Sequence, residues 1–181
     1  MFEHHFIVRG KDVVRHAQHY LSGLLGVQRR KNIERIEADV ADSDYENLQQ
    51  FISDSPWDHE AVMAQVATEA EATLGRQPDT ALYVDESSYA KKGNASVGVQ
   101  RQYCGRLGKV ENCQVGVFAA LGCGVRAALV DFRLFLPGAW ADDPVRCAKA
   151  KVPEDKRVHR TKPELALEIN RAARVRGSTH R

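Results

Sequence analysis

The stretch from residue 113 to residue 135 reads CQVGVFAALGCGVRAALVDFRLF. Its two halves are rich in β-branched, aromatic and small apolar residues, and Gly122-Cys123-Gly124 separates them. Two such runs joined by a short glycine-containing connection are typical of an antiparallel β-hairpin. We therefore predict strands over residues 113–121 and 125–135, with a turn between them.

A shorter apolar run over residues 80–85 predicts a further strand, which ends in the carboxylates of Asp85 and Glu86. Residues 95–104 are glycine-rich and alternate in polarity, which predicts a weaker strand or an extended arm. A carboxylate at the rim of a sheet is held in a fixed position and can bind a divalent metal ion. Chemistry on phosphodiesters with two metal ions uses such carboxylates, so Asp85 is a candidate metal ligand. The alternative is that Asp85 and Glu86 only end the strand and cap the next turn.

The first 75 residues carry apolar side chains at helical spacing, and we predict four helices there. The predicted N-caps are Asp12, Asp44 and Asp58, and glycines end the first and the last of these helices. Near the C-terminus, Thr161-Lys162-Pro163-Glu164 predicts a capping box that begins a helix. The expected fold class is α+β, with a helical N-terminal region over residues 1–76 and a sheet-containing domain over residues 77–181.

The composition is that of a soluble globular protein, with 43% hydrophobic and 28% charged residues in 181. No apolar run approaches the ~20 residues of a membrane span, so no membrane partner is expected. The four cysteines include no C-x-x-C pair, which argues against a zinc site and favours reduced thiols in a bacterial cytoplasm.

The charges are segregated along the chain. Residues 37–86 hold thirteen acids and one base, whereas residues 146–181 hold eleven bases and four acids. Such asymmetry fits a protein that meets a polyanion with one surface. It fits equally well two solvated helical faces of opposite sign that pair with each other.

Several short motifs occur in a fixed order along the chain. They are Asp85-Glu86, Lys91-Lys92-Gly93, Ser96-Val97-Gly98-Val99, Arg101-Gln102-Tyr103, Asn112-Cys113-Gln114, Gly116-Val117-Phe118, Leu136-Pro137, Trp140 and Thr161-Lys162-Pro163-Glu164. In this order they closely resemble the DDE-superfamily transposases of bacterial insertion sequences. One departure is Ser87-Ser88-Tyr89-Ala90, where that family more often has Thr-Gly-Phe-Leu.

The resemblance implies an RNase H-like core, in which three antiparallel strands and a helix precede a fourth strand parallel to the first. It implies that Asp85 is a catalytic residue and a ligand of Mg²⁺. It also implies transposon-end DNA and a homo-oligomer as partners, no small-molecule substrate, and a nucleoid-associated place in a bacterial cytoplasm. The expected DNA-binding residues interleave with glycines and Tyr103, and they are Lys91, Lys92, Arg101, Arg106 and Lys109.

The same resemblance places the second Asp and the Glu of the family, and its fourth strand, beyond Arg181. We therefore expect a truncated RNase H-like core and a catalytically incomplete transposase chain. One alternative is a non-catalytic DNA-binding or regulatory fragment of a transposase. Another is an unstable product, because without a fourth strand the strand of Asp85 would keep an unpaired edge.

Overall fold

A computed structural model describes residues 1–27, 29 and 31–178 of the chain, with side chains described through Arg176. The chain divides into two compact units, Met1–Gln65 and Val66–Arg181. The boundary predicted from the sequence, between residues 76 and 77, stays a prediction.

The first unit is mainly helical. Its elements are a 3-10 turn (Glu3–Phe6), strands β1 (Ile7–Val8) and β2 (Lys11–Asp12), and helices α1 (Val14–Leu25), α2 (Ile33–Asp39) and α3 (Tyr45–Ser53); helix α4 (His59–Leu74) begins in it. The four predicted helices are confirmed. The β1–β2 hairpin was not predicted, because strands of two residues are too short to show a period in the sequence.

Two of the three N-cap residues predicted for these helices are confirmed. Asp44 accepts a hydrogen bond from the N–H of Asn47 at 2.8 Å, as an N-cap does. Asp58 accepts from two amides at the start of α4. The prediction for Asp12 was one residue off: Val13 is the N-cap, and Asp12 accepts from the N–H of Val14 at 3.0 Å.

The core of the first unit has close helix–helix and aromatic contacts. Gly23 of α1 is buried against Ile36 of α2, so closely that a Cβ at Gly23 would lie 2.3 Å from Ile36 Cγ2. The rings of Phe51 and Trp57 stack at 5.7 Å between centroids, and Trp57 Nε1 donates to the Phe51 carbonyl at 3.2 Å. These contacts pack α1, α2 and α3 around one small core.

The second unit contains a four-stranded antiparallel sheet. Its strands are β3 (Ala81–Ala90), β4 (Gln100–Cys104), β5 (Lys109–Cys123) and β6 (Arg126–Leu134). Along one side β5 pairs with β3, and along the other it pairs first with β4 and then with β6. The predicted β5–β6 hairpin is confirmed, and Gly124 opens its two-residue turn with a φ of 56°.

The strand predicted from residue 113 begins four residues earlier, at Lys109, and two other predicted strand boundaries were also wrong. The strand predicted over residues 80–85 continues to Ala90, so Asp85 lies in its middle, opposite Phe118, and not at its end. The strand predicted over residues 95–104 begins only at Gln100. Both differences arise because pairing with the long strand β5, rather than local sequence preference, decides where its neighbours begin and end.

Helices cover one face of this sheet. The part of α4 that belongs to the second unit, from Val66 onward, packs on it together with helix α7 (Lys162–Ser178). Their shared core with the sheet includes Leu74, Val117, Ala119 and Ile169. The predicted capping box begins α7: Glu164 Oε2 accepts from the N–H of Thr161 at 2.7 Å. Short helices α5 (Gly138–Ala141) and α6 (Pro144–Lys149) form a second cluster around the buried Trp140. The α+β class is therefore confirmed.

None of the described helices is both long and apolar enough to cross a membrane.

Candidate active site and its neighbouring loop

Asp85 lies on the face of the sheet opposite to the helices. Its neighbours on β3, Leu82 and Val84, pack against the core, whereas Asp85 and Tyr83 are exposed. We call the face that carries Tyr83, Asp85, Tyr89 and Phe118 the open face. Asp85 Oδ1 accepts a hydrogen bond from the N–H of Glu86 at 2.8 Å. The carboxylate is thus held by its own strand, with its oxygens accessible from solvent.

The two acids of the Asp85-Glu86 pair have different surroundings. Glu86 Oε2 lies 2.7 Å from Nζ of Lys162, the first residue of α7, so this acid is paired with a cation on the helix side. Among the described residues, Asp85 makes no ion pair. The alternation of a β-strand separates the two carboxylates, and Asp85 is the one that remains available to a ligand.

An exposed carboxylate oxygen suits a hard divalent cation such as Mg²⁺. Within the described residues, no group of three or more His, Cys, Asp or Glu side chains is placed to hold a metal ion. Asp85 therefore fits the role of one metal ligand, and the other ligands of a two-metal centre are not assigned.

Aromatic rings line the open face next to Asp85. Tyr89 meets Phe118 edge to face at 6.4 Å between ring centroids, and Phe118 stacks on Phe132 at 6.1 Å. This row crosses β3, β5 and β6, and Asp85 lies opposite Phe118, the middle ring of the row.

The loop of residues 91–99 connects β3 to β4 and carries two of the predicted DNA-binding lysines. Side chains of β5 bind its main chain. Asn112 Nδ2 donates to the carbonyls of Lys91 at 2.8 Å and Gly93 at 3.0 Å, and Gln114 Nε2 donates to that of Val97 at 2.6 Å. We call residues 91–99 the anchored loop.

A second set of contacts reaches the anchored loop from α5 and α6. Trp140 Nε1 donates to the Val99 carbonyl at 2.8 Å, and Arg146 Nη2 donates to the Asn94 carbonyl at 3.1 Å. The Arg146 guanidinium also lies 3.8 Å from the centroid of the Trp140 ring. These residues were not predicted as part of the site, although the sequence motifs contain Asn112, Gln114 and Trp140.

The predicted DNA-binding residues occupy three places. Lys91 and Arg101 flank Asn112 on either side of β5, since the N–H of Lys91 donates to the Asn112 carbonyl and Arg101 is opposite Asn112 in β4. Arg106 lies in a 3-10 turn before β5, and Lys109 begins that strand. The structure therefore places Lys91 and Arg101 at the same level on opposite sides of β5, and Lys109 three residues before that level on the strand.

Lys109 is also engaged by an acid that the sequence reasoning did not consider. Its Nζ lies 3.2 Å from Glu111 Oε2. The hydrogen bond from the Asn112 N–H and the Lys109 ammonium hold the pKa of Glu111 below its usual range. An ion pair with Glu111 leaves less of the Lys109 charge for a phosphate than an isolated lysine would offer.

Ser88 is buried and connects β3 to the turn before β5. Its hydroxyl donates to Cys104 Sγ at 3.3 Å and accepts from the N–H of Arg106 at 3.3 Å. This is where the resembled family more often has glycine, so the contact depends on a residue in which this chain departs from that pattern. The Ser88 hydrogen bond lowers the pKa of Cys104 and burial opposes it, whereas burial raises the pKa of Cys113.

Asp131 is a buried acid whose carboxylate forms ion pairs with two arginines. A β-bulge in β6 turns Val130 and Asp131 to the same, helix-covered face of the sheet. There Asp131 pairs with Arg133 and with Arg176 of α7, the latter at 3.3 Å. With both oxygens paired on the covered face, Asp131 is not available as a metal ligand beside Asp85.

The fold and this geometry define an α+β protein with an accessible carboxylate on an antiparallel sheet and a basic loop that follows the strand of this carboxylate. The family model described as DDE superfamily endonuclease matches residues 8–181. Because the match covers nearly the whole sequence, the chain belongs to the DDE superfamily of endonucleases. Members of this superfamily generally use divalent metal ions.

The chain is also similar to a curated protein, the probable transposase for insertion sequence element IS701 of Microchaete diplosiphon. The two are 30% identical over 145 residues, which is 80% of this chain and 34% of the relative. The chain therefore spans about a third of the length of that relative. No solved structure matches the chain.

Proposed function

We propose that this chain acts in DNA transposition, with Asp85 as the first ligand of a magnesium-dependent centre that cleaves and joins transposon-end DNA. The observation that carries the proposal is the placement of Asp85. Its carboxylate is accessible on the open face, while the adjacent Glu86 is occupied by Lys162. The family match and the similarity to a probable transposase support the same reading.

In the proposed reaction, water or a 3′-hydroxyl attacks phosphorus in line. Two divalent ions supply nucleophile activation and stabilisation of the leaving oxygen when they are bound. The chain contributes Asp85 as one oxygen ligand and fixes its position through the pairing of β3 with β5. The Glu86–Lys162 ion pair holds the same strand to α7. Further carboxylates are needed, and we expect that this chain by itself binds DNA without cleaving it.

We also propose that the sheet is the beginning of an RNase H-like core. Strands β3, β5 and β6 are consecutive antiparallel neighbours in the sheet, and α7 follows and packs on it. Such a core places its first carboxylate on the first of these strands, which is where Asp85 lies. Among the described residues, β3 pairs on one side only, so its other edge is open to a further strand.

DNA binding tests the proposal in solution. We expect that a fluorescein-labelled 20-base-pair duplex binds the chain with an affinity that falls steeply with salt, since lysine and arginine contacts to phosphate release counterions. Replacing Lys91 and Lys92 together by Met should reduce the slope of log K against log salt by about 2, close to one for each lost phosphate contact. Fluorescence anisotropy over a series of salt concentrations measures this slope.

Arg76 and Arg126 provide the matched control, because both are exposed and lie outside the anchored loop. Their joint replacement by Met removes the same charge and should change the slope by clearly less than the lysine pair. A duplex that shows no binding at low salt would contradict the proposed DNA partner.

A further inference from the structure

The anchored loop uses its main-chain oxygens and its main-chain amides very differently. Most of its carbonyls accept a hydrogen bond from the body of the second unit or from the loop itself; they are those of Lys91, Gly93, Asn94, Ser96, Val97 and Val99. Its amides donate to a described protein acceptor only at the two ends, from Lys91 to the Asn112 carbonyl and from Val99 to the Ser96 carbonyl.

The planarity of the peptide bond decides where the remaining amides point. In a trans peptide the C=O of one residue and the N–H of the next point in opposite directions. The chain has no cis peptide bond. With the Lys91 and Gly93 carbonyls on Asn112, the N–H groups of Lys92 and Asn94 are therefore directed away from Asn112. The Asn94 carbonyl on Arg146 likewise directs the N–H of Ala95 away from α6.

The outer side of the loop is open to a ligand. Residues 92–95 are exposed, and a Cβ built at Gly93 would meet no atom within 4 Å. Main-chain N–H groups that are directed outward and lack a protein acceptor carry partial positive charge and are able to donate hydrogen bonds to an anion. Lys91 and Lys92 add two positive charges to the same loop.

We propose that residues 92–95 bind a phosphate group of the DNA backbone through main-chain N–H groups, and that Asn112 and Arg146 are the positioning residues of this site. The inference rests on the proposed DNA partner and adds to it a defined phosphate subsite. Asn112 and Arg146 act by holding carbonyls inward, so that the amides are already oriented before DNA arrives. A preorganised site of this kind loses little entropy on binding.

The first test compares two arginines. Arg146→Met removes one positive charge and the hydrogen bond to the Asn94 carbonyl. Arg157→Met is the control: it also removes one positive charge and one hydrogen bond to a carbonyl, that of Val152 at 2.9 Å, elsewhere in the same unit. We expect Arg146→Met to weaken binding of the labelled duplex by about fivefold or more, as for loss of a charge-assisted contact, and Arg157→Met by less than about twofold. Melting temperatures of both variants show that the protein is folded.

The second test removes one N–H group directly. Replacement of Ala95 by lactic acid converts its amide into an ester and leaves the methyl side chain unchanged. We expect duplex binding to weaken about three- to tenfold at an unchanged melting temperature. In the Arg146→Met background the same ester should cost less than about twofold, because the amide is no longer held in position.

The outcomes separate the subsite from the proposed function. If the wild-type chain binds duplex and the Lys91/Lys92 double variant binds more weakly, but the ester variant binds like wild type, the phosphate subsite is wrong and the DNA partner stands. Equal losses for Arg146→Met and Arg157→Met would also overturn the positioning role. If the wild-type chain does not bind duplex, both proposals fail.

Discussion

At the scale of single residues, two glycines of the anchored loop show what its conformation requires. Gly98 has a φ of 73°, and a Cβ there would lie 2.7 Å from the main-chain oxygen of Phe135. Gly93 has no positive φ, and a Cβ there would meet nothing within 4 Å. The first glycine is therefore required by geometry, whereas at the second a side chain can be accommodated.

We expect Gly98→Ala to destabilise the chain by about 1–3 kcal/mol, because alanine disfavours this backbone region and its methyl group meets a carbonyl that cannot move freely. Gly93→Ala should change the free energy of unfolding by no more than about 0.5 kcal/mol. Urea unfolding followed by circular dichroism measures both values. Equal stability of the two variants would show that the loop is not held as described.

At the scale of elements, the sequence predicted what is periodic and local. The apolar spacing of the N-terminal helices, the capping box at Thr161 and the β5–β6 hairpin were all visible, since each depends on residues close in sequence. The extension of β3 through residues 87–90 was not, because polar residues there are held in a strand by pairing with β5. The contacts of the anchored loop could not be predicted for the same reason, since Arg146 donates to a carbonyl 52 residues away in the sequence.

The start of α7 gives a prediction about pH. The amide and hydroxyl of Thr161 hold the pKa of Glu164 below its usual range. A carboxyl group with a lowered folded pKa stabilises the fold fully above its unfolded pKa of about 4.3, and this stabilisation is lost as the pH falls through the lower folded value. Glu164→Gln should therefore reduce the stability of α7 at neutral pH. It should also make the loss of α7 stability smaller as the pH falls into the acid range.

Amide hydrogen exchange of α7 residues, measured between pH 3 and pH 7 and corrected for intrinsic rates, tests this expectation. Glu34→Gln is a suitable control, since Glu34 lies in the first turn of another helix. The capping role would be wrong if Glu164→Gln followed the same pH dependence as wild type.

At the scale of the whole molecule, the site of Asp85 belongs to the second unit, and the acidic stretch of residues 37–86 runs from the first unit into it. The family resemblance led us to predict Asp85 as a site residue, but the sequence pattern placed it at the end of a strand. Because Asp85 lies in mid-strand, alternation along β3, rather than a strand end, separates it from Glu86 and leaves it accessible.

The central claim is that Asp85 binds a divalent metal ion, and paramagnetic line broadening by Mn²⁺ tests it most directly, because this method detects weak binding to a single carboxylate. Asp79→Asn is the matched control, since Asp79 is an exposed acid just before the same strand. We predict that Mn²⁺ broadens the amide signals of residues 84–87 in wild type and in Asp79→Asn, and that Asp85→Asn abolishes this broadening. Unchanged broadening of these signals in Asp85→Asn would contradict the account.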